Sequence, residues 1–215
     1  MTHAEMEAQR RDEQMALRLA KYSDVMPYSN IFFVGAMDFA KSAFDNFIEM
    51  SAQTRHSLVY TNFQLLQCLD GAYASLKNFP NELAVMASYT TYVNEEILDQ
   101  FFSGCPEEYE NDEVVRNFRK NVEVIKAVKL QFRKVKPSIE EFIAIFGLAL
   151  WNGYTADLSV ETARIVRTNR KALLLELQKV YARDGNTRYT SRMAEVFGLL
   201  VNTFREIQKA MRCVI

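Results

Sequence analysis

Apolar residues recur along this chain at helical spacings, in long stretches with few breaks. From Ile31 to Ala40 the run IFFVGAMDFA is apolar on nearly every face, the pattern of a helix buried between other helices. It ends at Lys41. A short Asp/Asn/Ser/Gln/Thr corner follows, and a second helix opens at about Arg55 and runs to about Ala74. Its Leu58, Val59, Leu65, Leu66 and Leu69 fall at helical spacings. A lone lysine at a helix end, beside an apolar groove, can hold a partner helix by its terminal carbonyls.

The flanking segments extend the helical pattern. Residues Ala4 to Lys21 favour helix but carry little apolar content, so residues 1–24 read as a polar helical lead-in or a partly ordered one. Pro27 suits the start of the following helix. The segment NFPNELAVMASYTTYVNEE is the one with β character, and a small hairpin is expected there. A polar loop, SGCPEEYENDE, precedes a long amphipathic helix from Glu113 to about Lys136. Its buried stripe is Val115, Phe118, Val122, Ile125, Val128 and Phe132, with Lys126, Lys129, Arg133 and Lys136 on a solvated basic face. Ser138 and Glu141 have capping-box spacing ahead of a helix that is apolar all round through Trp151. A half-exposed helix follows, LSVETARIVRTNRKALLLELQKVYA, and the last runs from Arg188 to Ile215. In that last helix Met193, Leu200 and Ile207 recur every seven residues, as do Phe197, Phe204 and Met211. This heptad-like seam can pack on a second helix or a second copy.

Composition supports a helical domain. The 215 residues, 49% hydrophobic, are enough for one sizeable core, and 7 glycines with 4 prolines disfavour a many-turned β architecture. A formal charge of −1 gives no whole-chain basic footprint for nucleic acid. Three dispersed cysteines, with no CxxC pair, indicate neither a zinc ribbon nor a disulfide framework and fit a reducing compartment. The first residues are too charged for a signal peptide, and no apolar run reaches membrane-spanning length.

Chemistry-bearing motifs are missing from the pattern. The two histidines, His3 and His56, have no neighbours at metal-ligand spacing. There is no GxGxxG, GxxxxGK[ST] or GxSxG, so no cofactor is expected, and nothing supports catalysis. Several helices apolar on all sides imply an all-α, three-layer antiparallel sandwich whose middle layer sees no solvent. Its Phe- and Met-rich interior fits either an apolar ligand cavity or a filled core.

Certain residues resemble a known family. Phe39-Ala40-Lys41, then Phe47 and Met50, then QTRHSLVYTNF (Gln53 to Phe63) resemble the signature of nuclear hormone receptor ligand-binding domains. Thr54-Arg55 stands where Asp-Gln is usual, and Leu58-Val59 where Leu-Leu is usual. Independently, EFIAIFGLALWN (Glu141 to Asn152) resembles the family helix with a leading Glu and a Trp or Phe ending. LSVETARIVRTNRKALLLEL resembles the helix after it, and RMAEVFGLLVNTF the penultimate, dimerising helix. The resemblance covers about residues 25–215, and its divergence looks like that of the expanded nematode receptor group.

The resemblance implies roles residue by residue. Lys41 would be the lysine of a coactivator charge clamp gripping the carbonyl end of an LxxLL helix, with Arg55, His56 and Val59 lining the same groove. A small lipophilic ligand would meet Val25, Met26, Ser29 and Phe32 on the first helix and Phe63, Gln67, Cys68 and Gly71 on the second. Glu141 would pair with an arginine of the last helix, Arg192 in preference to Arg188, since a buried carboxylate needs a partner. The seam of Met193, Phe197, Leu200, Phe204, Ile207 and Met211 would form a homo- or heterodimer with another receptor. The implied setting is transcription control in the nucleus, or also the cytoplasm, without direct nucleic-acid or membrane contact. Neither the family's zinc-finger DNA-binding module nor its final activation helix is expected within this chain. A helical scaffold, or a dominant-negative dimerisation partner with a filled core, is the alternative.

Overall fold

Burial of the second long helix organises the molecule. The computed structural model describes residues 17–94, 96, 100–101, 113–152, 159–185 and 189–212, without the side chains of Val25, Met26 and 113–118. Among the described residues the helices are α1 (Val25–Ala43), α2 (Asp45–Glu49), α3 (Ala52–Asn78), α4 (Glu113–Val135), α5 (Ile139–Leu150), α6 (Val160–Arg183) and α7 (Tyr189–Arg212). Helix α3 packs on α1 from one side and on α4 and α7 from the other. Helix α5 lies beside α3 and carries α6. This is an all-α three-layer sandwich with α3 and α5 inside. Leu58, Val59, Leu65, Leu66 and Leu69 on α3, and Ile145, Leu148, Leu150 and Trp151 at α5, are all buried.

Local chemistry sets the helix ends. Ser51 accepts the Thr54 N–H at 3.1 Å, so α3 starts three residues before Arg55. It continues past Ala74 to Asn78. The polar corner before it holds the one-turn helix α2, which begins where Phe44 turns extended. At α5, Ser138 accepts the Glu141 N–H at 3.2 Å while the Glu141 carboxylate accepts the Ser138 N–H at 2.8 Å, a complete capping box. The far end of α5 is answered from two neighbours: Asn62 on α3 donates to the Leu150 carbonyl at 3.1 Å, and Arg170 on α6 to that of Trp151 at 3.1 Å.

Three very short strands form a sheet in the order β1-β3-β2. Strands β2 (Val85–Met86) and β3 (Thr91–Val93) pair antiparallel, the expected hairpin. Strand β1 (Arg18–Leu19) runs parallel to β3, where the pattern had suggested a helical or partly ordered lead-in. The Arg18 N–H donates to the Thr90 carbonyl and the Ala20 N–H to that of Tyr92, pairing that outweighs local helix propensity. Residues 1–16 lie outside the described part.

Two readings of α4 and α7 need correction. Lys129 belongs to the interior and not to a solvated basic face. Only 5% exposed, it donates to the Glu82 and Ala84 carbonyls at 2.8 and 2.7 Å. The buried line of α7 runs through Val196, Leu199, Thr203 and Ile207; it shares Ile207 with the heptad seam and otherwise lies one residue before it.

Candidate functional site: a lysine-edged groove and an aromatic cavity

Lys41 lies in the last turn of α1 with its side chain 46% exposed, and its ammonium meets Asp38 at 2.9 Å. An exposed pair of this kind contributes about 0.3–0.5 kcal/mol, so Lys41 can leave it at little cost. Val34 and Met37 precede Lys41 at spacings that put all three on one face of α1. Across from them, the His56 ring on α3 meets Phe33 at 5.0 Å and stacks on Tyr60 at 6.0 Å. Val34 and Tyr60 are 57% and 69% exposed, so apolar surface continues from the lysine along both helices.

Arg55 and Val59 take other positions. Arg55 donates through Nη1 to the carbonyls of Ile48 and Met50 at 2.7 and 3.0 Å, which ties the end of α2 to the start of α3. Val59 is fully buried, so it supports the groove from the core and does not line it. Its spacing from Asn62 and Leu66 puts it on one face with those two buried residues.

Glu141 and Arg192 form the densest polar cluster. The Arg192 guanidinium donates from Nε and Nη2 to the two carboxylate oxygens of Glu141, each at 2.7 Å, in a bidentate fork. Tyr181 adds its hydroxyl at 2.8 Å. Arg192 also donates to the carbonyls of Val135 and Lys136, which closes the end of α4. Burial pushes the Glu141 carboxyl up, but Arg192, the Ser138 N–H and Tyr181 outweigh it and hold the group below the usual carboxylate range. Burial and then Glu141 raise the Tyr181 phenol. The same carboxylate thus serves the capping box and the ion pair together, so four elements meet at one residue.

Of the residues assigned by resemblance to a ligand pocket, those that the structure describes take several kinds of position. Cys68 is 1% exposed, and burial pushes its thiol up to about 12, which leaves it an inert packing group. A Cβ on Gly71 would sit 3.1 Å from Ile125, so this glycine marks the close approach of α3 and α4. Phe63 stands edge-on to Phe32 at 5.6 Å. Ser29 and Gln67 are half-buried, and the side chains of Val25 and Met26 lie outside the described part.

An open cavity of about 240 Å3 lies elsewhere, between α1, α3, α5 and the β2–β3 turn. Phe32, Gly35, Ala36 and Phe39 line it from α1, Asp70 from α3, Tyr89 from the turn, and Phe142, Ile143 and Phe146 from α5. Phe32 alone was anticipated. Burial pushes the Asp70 carboxyl up to about 6, against the lowering influence of the Tyr28 hydroxyl. Tyr28 and Tyr89 meet edge to face at 5.3 Å. Asp70 carried no sequence signal beyond being an acidic residue in an apolar helix, and the folding-back of the turn brings Tyr89 to it.

The seam residues of α7 divide. Ile207 is in the core, Met193 and Phe197 pack on Ala144, Leu177 and Tyr181, and Leu200 and Phe204 are half-buried. Met211 is 61% exposed. Among the described residues no group of three or more His, Cys, Asp or Glu is placed to hold a metal ion, and no helix is long and apolar enough to cross a membrane.

Comparison with curated proteins finds no match. A family model does match. The model of the ligand-binding domain of nuclear hormone receptors covers residues 11–215, and its all-α architecture with a small β element is the one described above. The chain belongs to the nuclear hormone receptor ligand-binding domain family.

Proposed function

We propose that this chain is a ligand-binding regulatory domain that controls transcription by passing the state of its interior to a coregulator helix at the groove beside Lys41. Family membership supports a regulatory, generally non-enzymatic role. The observation that carries the finer reading is Lys41 itself. It is exposed at the end of α1 in a surface pair, and followed across the groove by the stacked rings of His56 and Tyr60. The ammonium would take the unsatisfied carbonyls at the end of an LxxLL-type helix, while Val34 and Tyr60 cover its leucines. Dimerisation through the outer face of α7 and residence in the nucleus complete the reading.

Anisotropy titration of a labelled LxxLL peptide tests it. Lys41→Ala should weaken binding by about 1–3 kcal/mol, roughly 5- to 150-fold, with the melting temperature kept. Equal peptide affinity for Lys41→Ala and the unaltered chain, or no binding by the unaltered chain, would sink the groove reading. The close packing at Gly71 and Cys68 supports a second reading, a helical scaffold whose core holds no ligand. Native mass spectrometry separates the two, because a co-purified small molecule counts against the scaffold.

A further inference from the structure

We propose that the cavity between α1, α3 and α5 takes a small organic ammonium ion, its charge against the Asp70 carboxylate and its hydrocarbon part among the surrounding phenylalanines. This deepens the ligand reading above and rests on it. Three observations carry the proposal. First, the lining is aromatic, with Phe39 and Phe146 edge to face at 5.2 Å and Phe32 6.4 Å from Phe146. Such walls favour a cation as well as an alkyl chain. Second, the one charge on the lining among the described residues is negative. Tyr28 from α1 and Tyr89 from the turn are its titratable neighbours, and α5 contributes Phe142, Ile143 and Phe146. Among the described residues no cationic side chain acts on this carboxylate. A carboxylate accepts more than one donor, so the Tyr28 hydroxyl leaves room for an ammonium N–H. Third, the space is reachable and small. Ile143, on its lining, is 46% exposed, and about 240 Å3 lies below the roughly 300–1,000 Å3 of pockets for drug-sized ligands.

The carboxyl titrates at about 6, so it is mainly ionised at neutral pH in an apolar site. An asparagine could face the Tyr28 hydroxyl without burying charge. The acid instead leaves a negative site whose burial an incoming cation would offset.

The test uses 2-phenylethylammonium and its neutral isostere 2-phenylethanol in calorimetric titrations at pH 7.5 and pH 5.0. The amine should bind at least tenfold more tightly than the alcohol at pH 7.5, and should lose about tenfold at pH 5.0 as Asp70 takes up its proton. Asp70→Asn should erase the preference for the amine. Gly35→Leu should block both probes, since a Cβ there meets only the Tyr89 hydroxyl at 3.9 Å and the fold has room for it. Equal affinity for the two probes, or amine binding unchanged in Asp70→Asn, overturns the ammonium assignment and leaves a neutral-ligand cavity. If neither probe binds the unaltered chain, the cavity falls as a ligand site, and the proposal falls with it.

Discussion

Two carboxylates in this fold, buried Glu141 and half-buried Asp70, have opposite energetics, and their variants should show it. Glu141 is held below the usual range by a bidentate arginine, a backbone N–H and a phenol, which outweigh its burial. Its contribution to stability is therefore present at neutral pH and is lost as pH falls through its lowered folded-state value. Glu141→Gln should cost about 3 kcal/mol at pH 7, the scale of removing one partner from a largely buried pair. The gap between variant and parent should narrow below pH 4, as read by urea unfolding. Asp70 runs the other way. Its folded-state value, about 6, is raised, so its neutral form is favoured in the fold and stability declines as pH rises from about 4 to 6. Asp70→Asn should stabilise the chain by about 2–3 kcal/mol at pH 7.5 and by nothing near pH 3.5, with Tm measured at both. A variant that destabilised at pH 7.5 would mean that the carboxylate finds compensation in the fold.

At the scale of the elements, close helix contact is specified by small residues. A Cβ on Gly147 would lie 3.0 and 3.1 Å from the two Leu173 methyls and 3.5 Å from Phe44. Leu173 can turn away from a single methyl, and alanine gains about 1 kcal/mol of helix propensity, so Gly147→Ala should be near neutral. Gly147→Val cannot be absorbed so cheaply and should lose about 1–3 kcal/mol by thermal or urea unfolding, forcing α5 from α6. Much of the element plan was legible in the chain. The capping box at Ser138 and Glu141 and the all-round apolar run to Trp151 mark α5 directly. The burial of Lys129 is legible too, in its spacing against its charge. It lies seven residues after Val122, four after Ile125 and three before Phe132, so it shares their buried face. Two carbonyls from the loop before β2 make that position tolerable for an ammonium, and no local pattern announces them. In α7, seven-residue recurrence singled out the large side chains, yet the core took the small Thr203 with Val196 and Leu199, because α3, α4 and α5 all crowd that face.

For the whole molecule, what lies between elements was least visible in the chain. The resemblance set Cys68 and Gly71 toward a pocket, but the distance from α3 to α4 decides between a pocket and contact. A Cβ on Gly71 would lie 3.1 Å from Ile125, so at that position the two helices touch. The open space forms where α1, α5 and the β2–β3 turn meet, and only assembly creates it. The same reasoning bears on association. The rotation of α7 sends Val196 and Leu199 inward and leaves Val201 and Met211 49% and 61% exposed on its outer side, with Phe204 between them half-buried. Apolar area of that kind on α7 is what a second subunit would cover in an isologous contact, where the same patch of each subunit faces the other. Glutamate at Val201 and Met211 would set like charges across such a contact at no cost to the core, since both side chains are outside it. Sedimentation equilibrium at about 100 μM, the scale of a weak homodimer with an association free energy of about −5 to −6 kcal/mol, should therefore show association of the unaltered chain. The double variant should be monomeric with an unchanged Tm. A parent chain that sediments as a monomer at that concentration would remove α7 as a self-association surface and leave only a different receptor as its partner.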